Sequence, residues 1–101
     1  MYDLVWDEAA KAELAALSSF QRRIIVRIVE QQLRHQPNIE ARNRKPLREP
    51  LEELPEASWE LRVREHRVLY WIADPRTVTI LRVILKATAS LNQALGKHGK
   101  Q

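Results

Sequence analysis

A chain of 101 residues, 45% hydrophobic and 30% charged, has globular composition and room for one ordinary core, which excludes a disordered polypeptide and a second domain. Cysteine is absent, which excludes disulfides, zinc–cysteine sites and a thiol nucleophile. Seventeen Lys and Arg, most of them Arg, outweigh thirteen Asp and Glu for a net charge of +4, and no acidic residue follows Asp74, a balance suited to a polyanion partner.

Residues 2–6 alternate weakly and predict a short strand. Asp7 is placed to cap a helix over 8–17, with Glu8 in its first turn, where the helix dipole favours an acid. Ser18, with Gln21 three residues on, opens a second helix that runs to about 35, because Pro37 turns Gln36 away from helical geometry. Its apolar arc is Phe20, Ile24, Ile25, Ile28, Val29 and Leu33. Arg23, Arg27, Glu30 and Arg34 form the opposite stripe, readable as a solvated face or as an RNA or partner surface.

Pro37, Pro46, Pro50 and Pro55 mark residues 36–57 as a long connection without sustained structure. From residue 59 the period becomes two: Trp59, Leu61 and Val63 point one way, and Glu60, Arg62 and Arg64 the other. Glu65-His66 is the expected turn into a strand over 67–73, and Asp74-Pro75-Arg76 the turn into a last strand over 77–85. A helical turn or two over 88–96 follows, ended by Gly96. The predicted fold is α+β: a single small domain spanning 1–101, with an N-terminal strand and two helices on one face of an antiparallel sheet. The other face is left open and receives Arg62 and Arg64. The start Met1-Tyr2-Asp3 lacks a signal peptide's pattern, and no run is long enough for a membrane span, so the expected location is the cytoplasm, with no membrane partner.

The chain has no phosphate-binding loop, glycine fingerprint or nucleophile elbow. His35, His66 and His98 are too scattered to share a metal, so neither metal nor cofactor is expected. What remains is a basic set: Lys45 and Arg48 in the connection, Arg62, Arg64 and Arg67 about the hairpin, then Arg82 and Lys86. RNA cleavage by a neighbouring 2′-hydroxyl needs that hydroxyl deprotonated, the leaving oxygen protonated and charge on the phosphate stabilised. Arg serves the last need; His66 or Lys86 would move protons better, because the pKa of Arg lies far above 7. The same residues could instead form surface ion pairs with the neighbouring glutamates, Glu60 and Glu65 among them.

Three segments in order, Lys45-Pro46-Leu47, Trp59-Glu60-Leu61-Arg62-Val63 and Arg67-Val68-Leu69-Tyr70, resemble the RelE/ParE toxin superfamily, most closely its phage-derived HigB-like branch. Leu85-Lys86-Ala87-Thr88 is similar to that branch's Phe-x-Lys-Lys-Thr segment. The resemblance implies a ribosome-dependent mRNA endoribonuclease of a type II toxin–antitoxin pair, held in check by a small antitoxin, often a helix-turn-helix protein. It implies catalytic roles for Arg62, Arg67 and Lys86. The chemistry of the residues themselves makes His66 the candidate proton carrier and Lys45, Arg48, Arg64 and Arg82 the candidates for RNA contacts. Ala87 replaces a basic residue, and no Tyr or His occurs near residue 93, where RelE enzymes place a late catalytic side chain. Two alternatives therefore stand beside the nuclease: a ParE-like toxin that binds DNA gyrase, and an inactive remnant that binds only its antitoxin.

Overall fold

The computed structural model describes residues 1–73 and 75–85; Lys86 and the helical turn expected over 88–96 lie outside them. In chain order the elements are β1 (Asp3–Trp6), α1 (Glu8–Ala15), α2 (Ser19–Leu33), β2 (Arg44–Pro46), β3 (Trp59–Val63), β4 (His66–Ala73) and β5 (Thr77–Leu85). They build a five-stranded sheet in the order β1-β5-β4-β3-β2. β1 runs parallel to β5, and the remaining pairs are antiparallel. The sheet is therefore mixed, and it has one strand more than the alternation predicts.

Local chemistry explains the helix boundaries. Ser18 Oγ accepts the Gln21 N–H at 3.1 Å, satisfying one of the donors that a helix start leaves free. Asp7 occupies the cap position of α1, but its side chain makes no capping hydrogen bond. Arg22 of α2 closes the far end of α1 instead, donating to the carbonyls of Leu14 and Leu17 at 3.1 and 2.9 Å. Both helices cover one face of the sheet. Ala10, Leu14, Ile25, Val29 and Leu33 meet Leu61, Val63, Val68, Tyr70, Val78 and Ile80 in the main core. The expected inward set on β3 is thus found there, with Trp59 half-buried at its edge and Arg62 and Arg64 exposed. Tyr70 is fully buried; its hydroxyl donates to the Pro37 carbonyl at 2.6 Å, and its ring stacks with Trp59 at 6.2 Å. Burial raises the Tyr70 pKa, so its hydroxyl stays a donor.

Two features of the connection depart from the sequence reading. First, β2 forms at its centre, because the edge of β3 is open to pairing: Arg44, Lys45 and Pro46 lie opposite Leu61, Glu60 and Trp59. Arg44 is buried, with Nε donating to the Ile39 carbonyl at 2.7 Å and Nη1 to the Gln32 side chain, which ties the connection to the end of α2. Second, the face of the sheet turned away from the helices is not wholly open. Leu51 and Ala57, with Leu47 and Leu54 partly buried beside them, cover Leu69, Leu81 and Ile84 there as a second small core. A shift of register between Leu69 and Tyr70 gives β5 an extra residue opposite that point, so Leu81 joins this outer cluster while Ile80 stays in the main core.

The β3–β4 turn also differs by one residue. Val63 pairs with His66, so the turn is Arg64-Glu65 rather than Glu65-His66, and His66 opens β4 as a buried residue. Arg64 adopts a φ of 56°, the left-handed state that a tight hairpin demands and a side chain disfavours by about 1 kcal/mol. No described helix is long and apolar enough to cross a membrane.

Candidate functional site

Cross-strand register assigns every candidate side chain to a face, because directly opposed residues share one and successive residues alternate. Leu61, Val63, Val68 and Tyr70 belong to the helix-side core, so Glu60, Arg62, Arg67 and Leu69 lie on the outer face. One outer row crosses the sheet as Lys45, Glu60, Leu69 and Arg82; the next runs Arg62, Arg67 and Ile84. The structure therefore brings Lys45, Arg62 and Arg67 together around Glu60.

The electrostatics of this cluster are unusual for a sheet surface. Arg62 and Arg67 face one another directly, an arrangement of like charges that costs up to roughly 1 kcal/mol. Glu60 is only 4% exposed, and its Oε2 lies 3.4 Å from Arg67 Nε. That Nε is buried and makes no hydrogen bond, so the contact with Glu60 is ionic. Arg67 is the cation in contact with Glu60, while register places Lys45 opposite Glu60 and Arg62 two residues along the same face, so positive charge exceeds negative around this buried carboxylate. An incoming phosphate would relieve the Arg62–Arg67 repulsion.

The other candidates are dispersed. Arg48 is exposed in the connection that covers the outer face, beside a shallow hollow lined by Leu47, Pro55 and Ser58. Arg64 stands at the hairpin tip, its guanidinium 6.0 Å from the centre of the Phe20 ring. Arg82 is held by α1: its Nε donates to Glu13 Oε2 at 2.8 Å, while Glu13 Oε1 accepts the Val83 N–H at 2.7 Å. β1 ends opposite Ile80, so the β5 backbone beyond has no strand partner on that side, and Glu13 takes its place. Lys86 lies outside the described residues.

His66 is adjacent to Arg67 in sequence, yet alternation turns it to the helix side. There it lines a hollow with Phe20, Ile24, Ile25 and Val63. Burial lowers its pKa below the ordinary value, with Glu65 opposing the shift. The structure does not bring His66 onto the face that carries Arg67. The residue that sequence reasoning underused is Glu60, read there as a candidate surface ion-pair partner. Its alternation with Leu61, on the same side of β3 as Arg62, was the available signal. Among the described residues, no group of three or more His, Asp or Glu side chains is arranged to hold a metal.

This geometry can be set beside known proteins. A chain of the RelBE2 toxin–antitoxin complex from Mycobacterium tuberculosis is similar at 31% identity and a TM-score of 0.65, over 81% of this chain and 94% of that one. A chain of the intact RelBE toxin–antitoxin complex of Escherichia coli is 27% identical with a TM-score of 0.64, over 87% of this chain and 99% of that one. The isolated RelE toxin of Escherichia coli shares the fold at 23% identity and a TM-score of 0.67, over 99% of this chain and 100% of that one. No curated protein matches the sequence. The family model for the ParE toxin of type II toxin–antitoxin systems matches residues 4–89, most of the chain, and the protein belongs to that RelE/ParE toxin family.

Proposed function

We propose that this toxin is a ribosome-dependent mRNA endoribonuclease, acting in the cytoplasm and silenced by its antitoxin. The observation that carries the reading is the outer-face cluster: Arg62 directly opposite Arg67, with Glu60 buried beside Arg67. Glu60 takes the proton of the 2′-hydroxyl as that oxygen bonds to phosphorus. Arg67 and Arg62 stabilise the charge on the crowded phosphate, and the P–O5′ bond breaks as the leaving oxygen gains a proton. Lys86 follows Leu85 at the end of β5 and is the candidate for that second proton, a role resting on the family resemblance. Lys45, exposed opposite Glu60, and Arg48 in the neighbouring connection extend the positive field for RNA phosphates. The motif set of the HigB-like branch supports the same assignment, and RelE toxins found with antitoxins support an antitoxin partner.

One observation favours a second reading. Glu60 partly neutralises Arg67, and the matching family model is that of ParE toxins, so a ParE-like block of DNA gyrase on the same fold is the alternative. Single-turnover cleavage of mRNA on programmed ribosomes separates the two. The nuclease reading expects Arg67→Ala to slow cleavage by roughly 10²-fold or more, the scale of one lost electrostatic donor. Protein that leaves ribosome-bound mRNA intact but blocks gyrase supercoiling refutes it. Inactivity in both assays with antitoxin binding retained leaves the inactive remnant.

A further inference from the structure

The outer face of the sheet carries an aromatic side chain that the second core leaves open to solvent. Register sets Trp71 of β4 beside Thr79 of β5, and Thr79 beside Val5 of β1; their neighbours Tyr70, Ile80, Leu4 and Trp6 belong to the helix-side core. Trp71 is 36% exposed and Val5 48%, although both lie within the sheet. On the other side of Trp71 the row continues to Ser58, whose N–H donates to the Tyr70 carbonyl at 3.1 Å and whose carbonyl accepts the Leu47 N–H at 2.9 Å. Ser58 is exposed, and beside it opens a hollow of about 340 Å³ lined by Leu47, Arg48, Glu49 and Pro55.

A line of cations joins this row to the arginine pair. Arg48 follows Leu47, Lys45 lies on β2 opposite Glu60, and Arg62 and Arg67 form the next row along the same face. Four residues of β4 separate Arg67 from Trp71, roughly 13 Å, a span that a few nucleotides cover. Among the described residues, neither Lys45 nor Arg48 is within ion-pair distance of a carboxylate, whereas Arg82, on the β5 side of the face, is held by Glu13. The route open to a polyanion therefore follows β2.

We propose that this row is a base-stacking subsite for the mRNA: Trp71 takes an unpaired base a few nucleotides from the bond that is cut, and Arg48 and Lys45 carry the phosphates between. An exposed indole on a sheet holds a base by its π-face, and the Ser58 and Thr79 hydroxyls beside it can serve the base edge or the ribose. Glu49 disfavours a phosphate inside the hollow and accepts from a base amino group, so the hollow suits a base and Arg48 on its rim suits the backbone. A second protein fits less well, since two exposed apolar side chains fall far short of the roughly 800 Å² per partner of a stable interface. The inference rests on the nuclease reading for its substrate and adds where a neighbouring base of that substrate is held.

The test is equilibrium binding of the full-length toxin to ribosomes programmed with an mRNA that carries 2′-deoxyribose at the cut position and so cannot be cleaved. Trp71→Ala should weaken binding by roughly fivefold to a hundredfold, the range of one lost base stack. Trp71→Phe keeps a ring and should bind nearly as the parent does. Trp71→Leu keeps an apolar side chain on the sheet without the ring, guards against misfolding, and should lose binding as the Ala variant does. None of the three should alter the salt slope, whereas Lys45→Ala and Arg48→Ala should each reduce it by about one. Parent-like binding by Trp71→Ala and Trp71→Leu overturns the proposal. So does an equal loss on ribosomes without mRNA, which would make the base ribosomal, or a loss confined to self-association, which would make the row a contact between two copies. Because binding is read on mRNA that cannot be cut, a toxin that binds through Trp71 yet leaves ordinary mRNA intact keeps the subsite and loses only the nuclease. Slow cleavage by Arg67→Ala beside parent-like binding by Trp71→Ala does the reverse.

Discussion

Replacing Glu60 with Gln tests the site most directly, because it removes one charge with almost no change of shape. Two unit charges 3.4 Å apart attract by roughly 5 kcal/mol at an effective dielectric constant of about 20. Dehydration of a carboxylate that is only 4% exposed offsets most of that, and the 23% exposure of the Arg67 side chain lets water screen part of the remainder. The net loss expected for Glu60→Gln is about 1–2 kcal/mol, partly because the Arg62–Arg67 repulsion is left unbalanced. For a domain near 100 residues that lowers the melting temperature by roughly 4–16 °C. Thermal unfolding at low and high salt reads the loss, which should shrink as salt screens the arginines. Single-turnover cleavage on programmed ribosomes should slow by roughly 10²–10⁴-fold if Glu60 accepts the 2′-hydroxyl proton. A variant that is destabilised as expected but cleaves at the parent rate removes Glu60 from the mechanism. A variant that melts with the parent shows that the Glu60–Arg67 contact contributes no stability.

Two further outcomes follow from buried polar groups. Tyr70→Phe strips the donor from the Pro37 carbonyl and should cost about 1–2 kcal/mol in urea unfolding, while an unchanged midpoint would mean that water replaces the hydroxyl. His66 has its pKa lowered by burial, so the unfolded chain binds its proton more readily than the folded protein does. Stability is then lost as pH falls below the ordinary histidine value of about 6.5, and His66→Gln should show a smaller drop between pH 7.5 and 5.5. Equal drops in parent and variant would assign the acid sensitivity to other groups.

Much of the local structure is written in short-range chemistry. The Ser18–Gln21 cap starts α2, and the two-residue period around Leu61 and Val63 makes β3 and orients it. The run of Thr, Val, Ile and Leu over 77–85 gives β5 its observed limits. These features depend on neighbours a few residues apart, so composition and spacing suffice to read them.

What stayed hidden depends on partners distant along the chain. Arg44–Pro46 has no strand signal among its prolines and becomes a strand because β3 offers it an edge. Leu47, Leu51 and Leu54 read as connection residues and instead pack about a second core on the face expected to be bare. Arg82 is drawn to Glu13 by the end of β1, at a separation of 69 residues. The position of the hairpin turn mattered most for the site. Nothing local favours Arg64 in a left-handed state; the pairing of Val63 with His66 imposes it. Because side chains in a strand alternate, that pairing sets His66 on the helix side, opposite Arg67, and places Glu60 on the outer face beside it. Residue types and their periods were open to reading from the sequence, whereas the parity that decides which charges meet belongs to the register of the assembled sheet.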